Sequence, residues 1–381
     1  MIKANVTLLT ALSLLWSAPL FAGKTINESY TLAPGQELNI RLKTGGSITV
    51  EGWDEDRAEV SYKLRGREED VVIEAKPTDA GFSIRCEPKF KSWRSSIDVD
   101  LVVKAPRLSD VRVYTSGGRL TMKNLEGEFS GKTMGGKIIL TALAGSVDLL
   151  TMGGDIEVNE STLDGRVKTM GGDIEFTNVV GNVDGSTMGG DVIYDNVKFS
   201  KNKKADFTPD DVVKISTMGG DIRVEDAPFG AEVKTMGGEI HITRAAQFAV
   251  AKTMGGDIEI GEVDGWAKAT TMGGDVTVKM VGDPASGRRD VELGSMGGDI
   301  TLYVPRELSM HFDLEIQYTK NSNRNYDIHS DFRVQKEEGS GWSWKRGRNA
   351  KTIVGTGEVN GGKHKIKIHT VNGHIRIRAV D

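Results

Sequence analysis

The chain has one cysteine, Cys86, so neither an intramolecular disulfide nor a cysteine-based metal cluster is open to it. Aromatic residues make up only 6% of it against 47 glycines, which fits a thin core closed by repeated tight turns rather than a thick globular one. Positive charge is not in excess: the net charge is −5, which argues against nucleic acid as a partner. Sustained helical spacing is missing, and glycines recur throughout, which argues against helices. Serine, histidine and aspartate occur without a converging nucleophile and base, so no enzyme is expected. Long apolar runs are also missing, with one exception at the start. Residues 6–16 are mostly apolar, behind Lys3 and ahead of Leu20-Phe21-Ala22. This reads as an export signal over residues 1–22, too short to span a bilayer comfortably. No cysteine sits near the cleavage point and no second spanning run follows. Neither a lipid anchor nor a transmembrane segment is therefore expected in the mature chain.

What the chain does have is a phrase in nine copies: Thr or Ser, Met, Gly, Gly, then Asp, Glu or Lys, then Ile or Val. The copies start at Thr133, Thr151, Thr169, Thr187, Thr217, Thr235, Thr253, Thr271 and Ser295, with a weaker one at Thr115. The step is 18 residues except for one of 30 and one of 24. A fixed step with glycines at one phase means that one unit is laid on the next. Apolar residues alternate on both sides of the phrase, as at Val147 and Leu149 before it and Ile174 and Phe176 after it. Period-two alternation predicts strands buried on one face. A third apolar site follows at Leu143, Val179, Val197, Val263 and Val281. Stacked in parallel at about 4.8 Å, ten coils from Thr115 make a rod of roughly 50 Å. The extra residues, 198–211 and 282–290, fall at one corner, where a loop grows without breaking the ladders.

Each column raises a question of chemistry. The glycine pairs (Gly153 and Gly154, Gly171 and Gly172, Gly189 and Gly190, Gly219 and Gly220, Gly255 and Gly256) are expected to form the corner, through positive φ and close stacking. A nucleotide-binding loop is the alternative, but no helix and no Lys-Ser/Thr pair follows. The acidic column holds Asp155, Asp173, Asp191, Asp221, Asp257, Asp275 and Asp299, with Glu239 and Lys137 as exceptions. Like charges about 5 Å apart cost very roughly 1 to 3 kcal/mol per pair before screening. The expected remedy is N–H bonds from the carboxylate's own turn, with a lysine such as Lys168, Lys234 or Lys252 facing it. A row of calcium ions between coils is the sharper alternative. The methionines are expected to pack inward or into the corner as adaptable filler. Facing outward, they would form an apolar stripe suited to a partner or a membrane surface. The threonines are expected to face inward and to link hydroxyl to hydroxyl.

The flanks are β-rich. Residues 23–114 read as an N-terminal cap, 115–304 as the repeats, and 305–381 as a C-terminal cap with a basic, Trp-bearing loop. In that loop Trp342, Trp344 and Arg346 offer a candidate contact for a sugar, a phosphate or a protein. His364, His369 and His374 are evenly spaced but differ in strand phase, which argues against a shared metal.

The lead segment Gly46-Ser47-Ile48-Thr49-Val50-Glu51-Gly52-Trp53, the repeated Gly-Gly-Asp-Ile and the closing Asn372-Gly373-His374-Ile375-Arg376-Ile377 resemble the bacterial "putative adhesin" family. The resemblance implies an exported all-β protein, a parallel β-solenoid of about 18 residues per coil, right-handed, with no catalytic residues to carry over. It implies an adhesin-like or structural module of the cell envelope, in the periplasm or on the cell surface, whose partner is an envelope protein or glycan. The methionine in every repeat departs from the Val, Thr or Ser that such proteins usually show there. The rival function is a carbohydrate-active β-helix enzyme, and a third is an envelope-stress regulatory partner.

Overall fold

The computed structural model describes residues 25–66, 68–89, 97–197, 212–319, 325–339, 343–345 and 348–380. Among them the only helical element is a single turn of 3-10 helix, Glu68–Asp70, and the rest of the regular structure is strand. The expected export signal and the insertion at 198–211 lie outside the described residues.

The strands form a parallel β-solenoid. One column of inward side chains runs Ile156, Ile174, Val192, Ile222, Ile240 and Ile258, each in parallel register with the next. A second runs Leu149, Val167, Gly185, Ile215, Val233 and Ala251. The interior is one continuous apolar cluster along the axis. Its volume is shared between columns: Gly185 lies against Phe176, and a Cβ there would stand 2.8 Å from the ring. The hydroxyl of Tyr194 accepts the Gly185 N–H at 2.9 Å, so a large aromatic and a missing side chain complement each other.

The two corners are built differently from the expectation. Positive φ is absent from the glycine pairs between Gly135 and Gly298. It falls on the opposite corner, at Asn124, Ala142, Glu160, Asn178 and Asn196, nine residues after each Thr. Asparagine takes this conformation at little cost, which suits three of the five positions. From Thr235 on, the corner straightens into the 13-residue strands Ile240–Lys252 and Ile258–Thr270. The third apolar column also shifts once: Met280, not Val281, pairs with Val263 and is fully buried. The insertion at 282–290 is held there by Arg289, whose buried guanidinium donates to the Val281 and Ser286 carbonyls and to Asp264.

At both ends spatial order departs from chain order. The coil made by Glu37–Leu42 and Ile48–Trp53 stacks on the first repeat, with Ile48 opposite Leu120. Gly81–Pro88 and Asp98–Pro106 add a parallel layer outside it, and Val71–Thr78, Arg57–Arg65 and Thr25–Thr31 close it antiparallel. At the other end the closing repeat phrase is not the outermost layer. Ile366 and Ile375 stack directly on Val291 and Ile300, and Met310–Thr319, earlier in the chain, lies outside. Arg348–Val359 then runs antiparallel to Met310–Thr319. An antiparallel edge, with Pro77 in one outer strand and the polar Gln335–Glu338 in another, offers no template for adding a further coil.

Candidate functional site

The Thr-Met-Gly-Gly-Asp corner repeats along the rod, and each of its positions has its own physical role. The threonine is buried and bonds backbone, not hydroxyl, which corrects the expected chain of hydroxyls. Thr169 Oγ1 donates to the Gly154 carbonyl of the preceding coil at 2.8 Å and accepts the Gly172 N–H of its own coil at 3.2 Å. The same pair of bonds recurs at Thr151, Thr187, Thr217, Thr235, Thr253, Thr271 and Ser295. The second glycine presses on backbone: a Cβ on Gly172 would stand 2.4 Å from the Gly154 carbonyl. The first glycine is exposed and has more room: a Cβ on Gly171 would come no nearer than 3.8 Å to any atom, and the tightest of the others, on Gly255, would stand 3.1 Å from the Gly237 carbonyl.

The methionines face outward, which overturns the expected inward or corner packing. Met134, Met170, Met188, Met218, Met236, Met254, Met272 and Met296 are 40% to 51% exposed, and Met152 is half-buried. Strand alternation carries on through them: Thr169 is in, Met170 out, and the exposed Gly171 makes the corner. Methionines and first glycines therefore form one straight ridge along the rod.

Beside the ridge runs the acidic column. Each carboxylate accepts a hydrogen bond from the next coil rather than from its own turn: Asp191 N–H to Asp173, Asp221 N–H to Asp191, and Asp275 N–H to Asp257, at 2.7 to 2.8 Å. This bond offsets the crowding of like charge. The lysine Lys234 is engaged by Glu232 on its own strand, and Lys137, the exception in the column, reaches Glu157 of the next coil. Among the described residues no group of three or more His, Cys, Asp or Glu is placed to hold a metal ion. The column ends at Asp299. Burial raises its pKa, but the His374 N–H at 2.8 Å and the Arg376 guanidinium at 2.7 Å outweigh that and hold the carboxyl below its ordinary 3.8. Stability from this carboxylate is complete above the unfolded value and is lost as pH falls through the lower folded one. Asp299→Asn should thus lower the urea midpoint at pH 7, and its deficit against wild type should shrink below pH 3.8. A deficit that does not change with pH would rule out this electrostatic origin.

Of the aromatic loop, Trp342 and Arg346 lie outside the described residues, and Trp344 sits in the short strand Ser343–Lys345, opposite Asn349. The evenly spaced histidines do not share a site: His364 Nδ1 accepts the Arg289 N–H and His374 Nδ1 accepts the Asp327 N–H. A cleft that the sequence reading missed is lined by Trp266, Lys268, Arg288, Glu292, Lys365 and Lys367. Its tryptophan is engaged by Phe248, stacked at 5.1 Å, and by the Arg288 guanidinium, 4.8 Å over the ring. Lys268 pairs with Glu292 and Arg288 with Asp290, each at 2.8 Å. The cleft is thus largely satisfied by its own groups, and only the outward tryptophan in an otherwise regular coil hinted at it.

No helix among the described residues is long and apolar enough to cross a membrane. Among curated proteins none matches the chain. Several solved structures are similar to it. A "putative cell adhesion protein" from Clostridium sporogenes ATCC 15579 is 11% identical, with 94% of this chain and 100% of that one covered and a TM-score of 0.18. A "putative lipid binding protein" from Parabacteroides distasonis ATCC 8503 is 14% identical over 74% of this chain and 97% of that one, with a TM-score of 0.30. A "putative adhesin" from the same organism is 13% identical over the same shares, with a TM-score of 0.27. Residues 33–247, which run from the lead coil well into the repeats, match the Toastrack DUF4097 family, and the chain belongs to that family.

Proposed function

We propose that the chain is a non-enzymatic, exported interaction module of the bacterial cell envelope, adhesin-like in use, in the periplasm or on the cell surface. The Met–Gly ridge is its contact face, and its partner is an envelope protein or glycan. One observation carries this reading: eight half-exposed methionines stand in one row on coils held in register by parallel ladders. Solvent-exposed apolar side chains in a contiguous row mark a contact surface, and methionine adapts its shape to what it meets. The acids near the ridge repeat one role from coil to coil, which suits a scaffold better than a reaction centre.

The test is capture from envelope fractions with the mature protein. A variant with Met170, Met188, Met218 and Met236 changed to Gln should lose the partner that the wild type retains. Capture that survives these changes but is lost on Trp344→Ala would move the contact to the C-terminal segment. Depolymerisation of envelope glycans by the purified protein would reverse the reading in favour of an enzyme.

A further inference from the structure

The repeat contains an internal comparison. Its copies have diverged where the core allows: one inward column holds Ile174, Val192 and Ile222, the next holds Phe176, Tyr194 and Val224. Outward positions differ as well, with Glu175, Ile193, Arg223 and His241 at one level. Four positions barely vary, the Thr or Ser, the Met and both glycines, of which the first glycine makes the exposed corner. The Thr or Ser is fixed by its two backbone bonds, and the second glycine by its contact with the coil below. The methionine has no such reason. It stands outward, and where its N–H is bonded, from Met134 to the Thr115 carbonyl at 3.3 Å and from Met152 to the Thr133 carbonyl at 3.2 Å, any residue but proline would make the bond. An apolar contact alone would accept Leu, Ile or Val here, yet all nine full copies carry sulfur. The face selects a thioether, not merely an apolar surface.

Thioether sulfur is a soft donor that favours monovalent copper over hard or borderline cations. The ladder supplies the spacing. In-register neighbours stand about 4.8 Å apart along the rod. A metal–sulfur bond of about 2.3 Å puts two sulfurs on one ion about 4.6 Å apart when they lie opposite each other. Three rotatable bonds let the two side chains adjust to that distance. The acidic column beside the ridge, including Asp173, Asp191, Asp221 and Glu239, adds a negative field that attracts cations and repels an anionic surface. The ridge carries no thiol or imidazole of its own, and Cys86 is buried at the N-terminal end.

We infer that the methionine ridge binds soft monovalent cations, Cu(I) or Ag(I), through thioether sulfurs of neighbouring coils. The inference rests on reading this ridge as the functional face of the chain. Binding is coordination only, with no change of oxidation state. Nine methionines form four separate neighbouring pairs, so the chain takes up to about four ions. Because thioethers carry no proton to lose, uptake is the same at pH 5 and pH 8, unlike uptake at thiolate or imidazole sites.

The mature protein is titrated anaerobically with Cu(I) against a chromogenic Cu(I) chelator, and separately with Ag(I). Several ions should bind per chain, with sulfur and no nitrogen in the copper X-ray absorption spectrum. Met170→Leu, Met188→Leu, Met218→Leu and Met236→Leu together keep the ridge apolar and should roughly halve the copper bound, with circular dichroism unchanged. No uptake by wild type at micromolar copper, or equal uptake by the leucine variant, would overturn the inference. The same variant separates this inference from the partner reading. Partner capture should survive Met→Leu while copper uptake falls by about half, and Met→Gln at the same four positions should lose the partner and lower copper uptake equally.

Discussion

Gly172→Ala should disrupt the middle of the rod, whereas Gly171→Ala, one residue earlier, should leave it almost unchanged. A Cβ on Gly172 would stand 2.4 Å from both the carbon and the oxygen of the Gly154 carbonyl and 2.6 Å from the Asp155 nitrogen. These are backbone atoms, fixed by ladder bonds on both strands of their coil, so no rotamer relieves the overlap. Overpacking with a route to relax costs 1 to 3 kcal/mol, and this site has none, so a cost above about 3 kcal/mol is expected. At Gly171 the nearest atom to an added Cβ is 3.8 Å away and φ is not positive. There the change should stay within about 1 kcal/mol and can even stabilise by restricting the unfolded chain. Urea midpoints of the two variants, with amide exchange of Ile174–Thr177 as a local probe, check this. Equal midpoints would mean that the glycine pair is not there for close stacking.

The same corner shows what the sequence made legible and what it hid. Period-two alternation placed Ile156, Ile174 and Ile258 correctly in one parallel column, because a buried face leaves its mark on every second residue. Inward methionines follow only if the bend begins at Thr169. The chain bends instead over residues 170–172, after the buried Thr169, and Met170 is turned outward. Residue type alone points to the glycines for positive φ, yet it falls on Asn178 and even on Glu160. Neighbouring coils impose that conformation where composition alone would not. Stacking order at the ends was illegible for another reason. Alternation in His364–Val371 is the same whether the strand lies outermost or is sandwiched, so nothing local says that Met310–Thr319 covers it. The Trp266 cleft draws Arg288 and Lys365 from separate segments, and no short window of sequence contains it.

Thr169→Val should be the most costly isosteric change in a repeat, and Thr169→Ser a mild one. Valine keeps the shape and the branched Cβ, so packing of the buried side chain is preserved. What goes is one hydroxyl that serves two backbone groups: the part-buried Gly154 carbonyl at 2.8 Å and the buried Gly172 N–H at 3.2 Å. A buried group left without a partner costs about 1 to 3 kcal/mol, and the part-buried carbonyl falls at the low end, about 1 kcal/mol, so the variant should lose about 2 to 4 kcal/mol in all. Serine keeps both bonds and gives up one methyl group, worth about 1 kcal/mol. The chain already carries that experiment at Ser295, whose hydroxyl meets the Gly274 carbonyl and the Gly298 N–H at 2.8 and 2.9 Å. Urea denaturation of the two variants decides it: if serine costs as much as valine, the methyl and not the hydroxyl holds the column. Because the bond joins one coil to the one before it, its loss weakens an interface rather than a unit. In a rod stabilised by nearest-neighbour contacts the weakened step should then open first, between the coils that begin at Thr151 and Thr169.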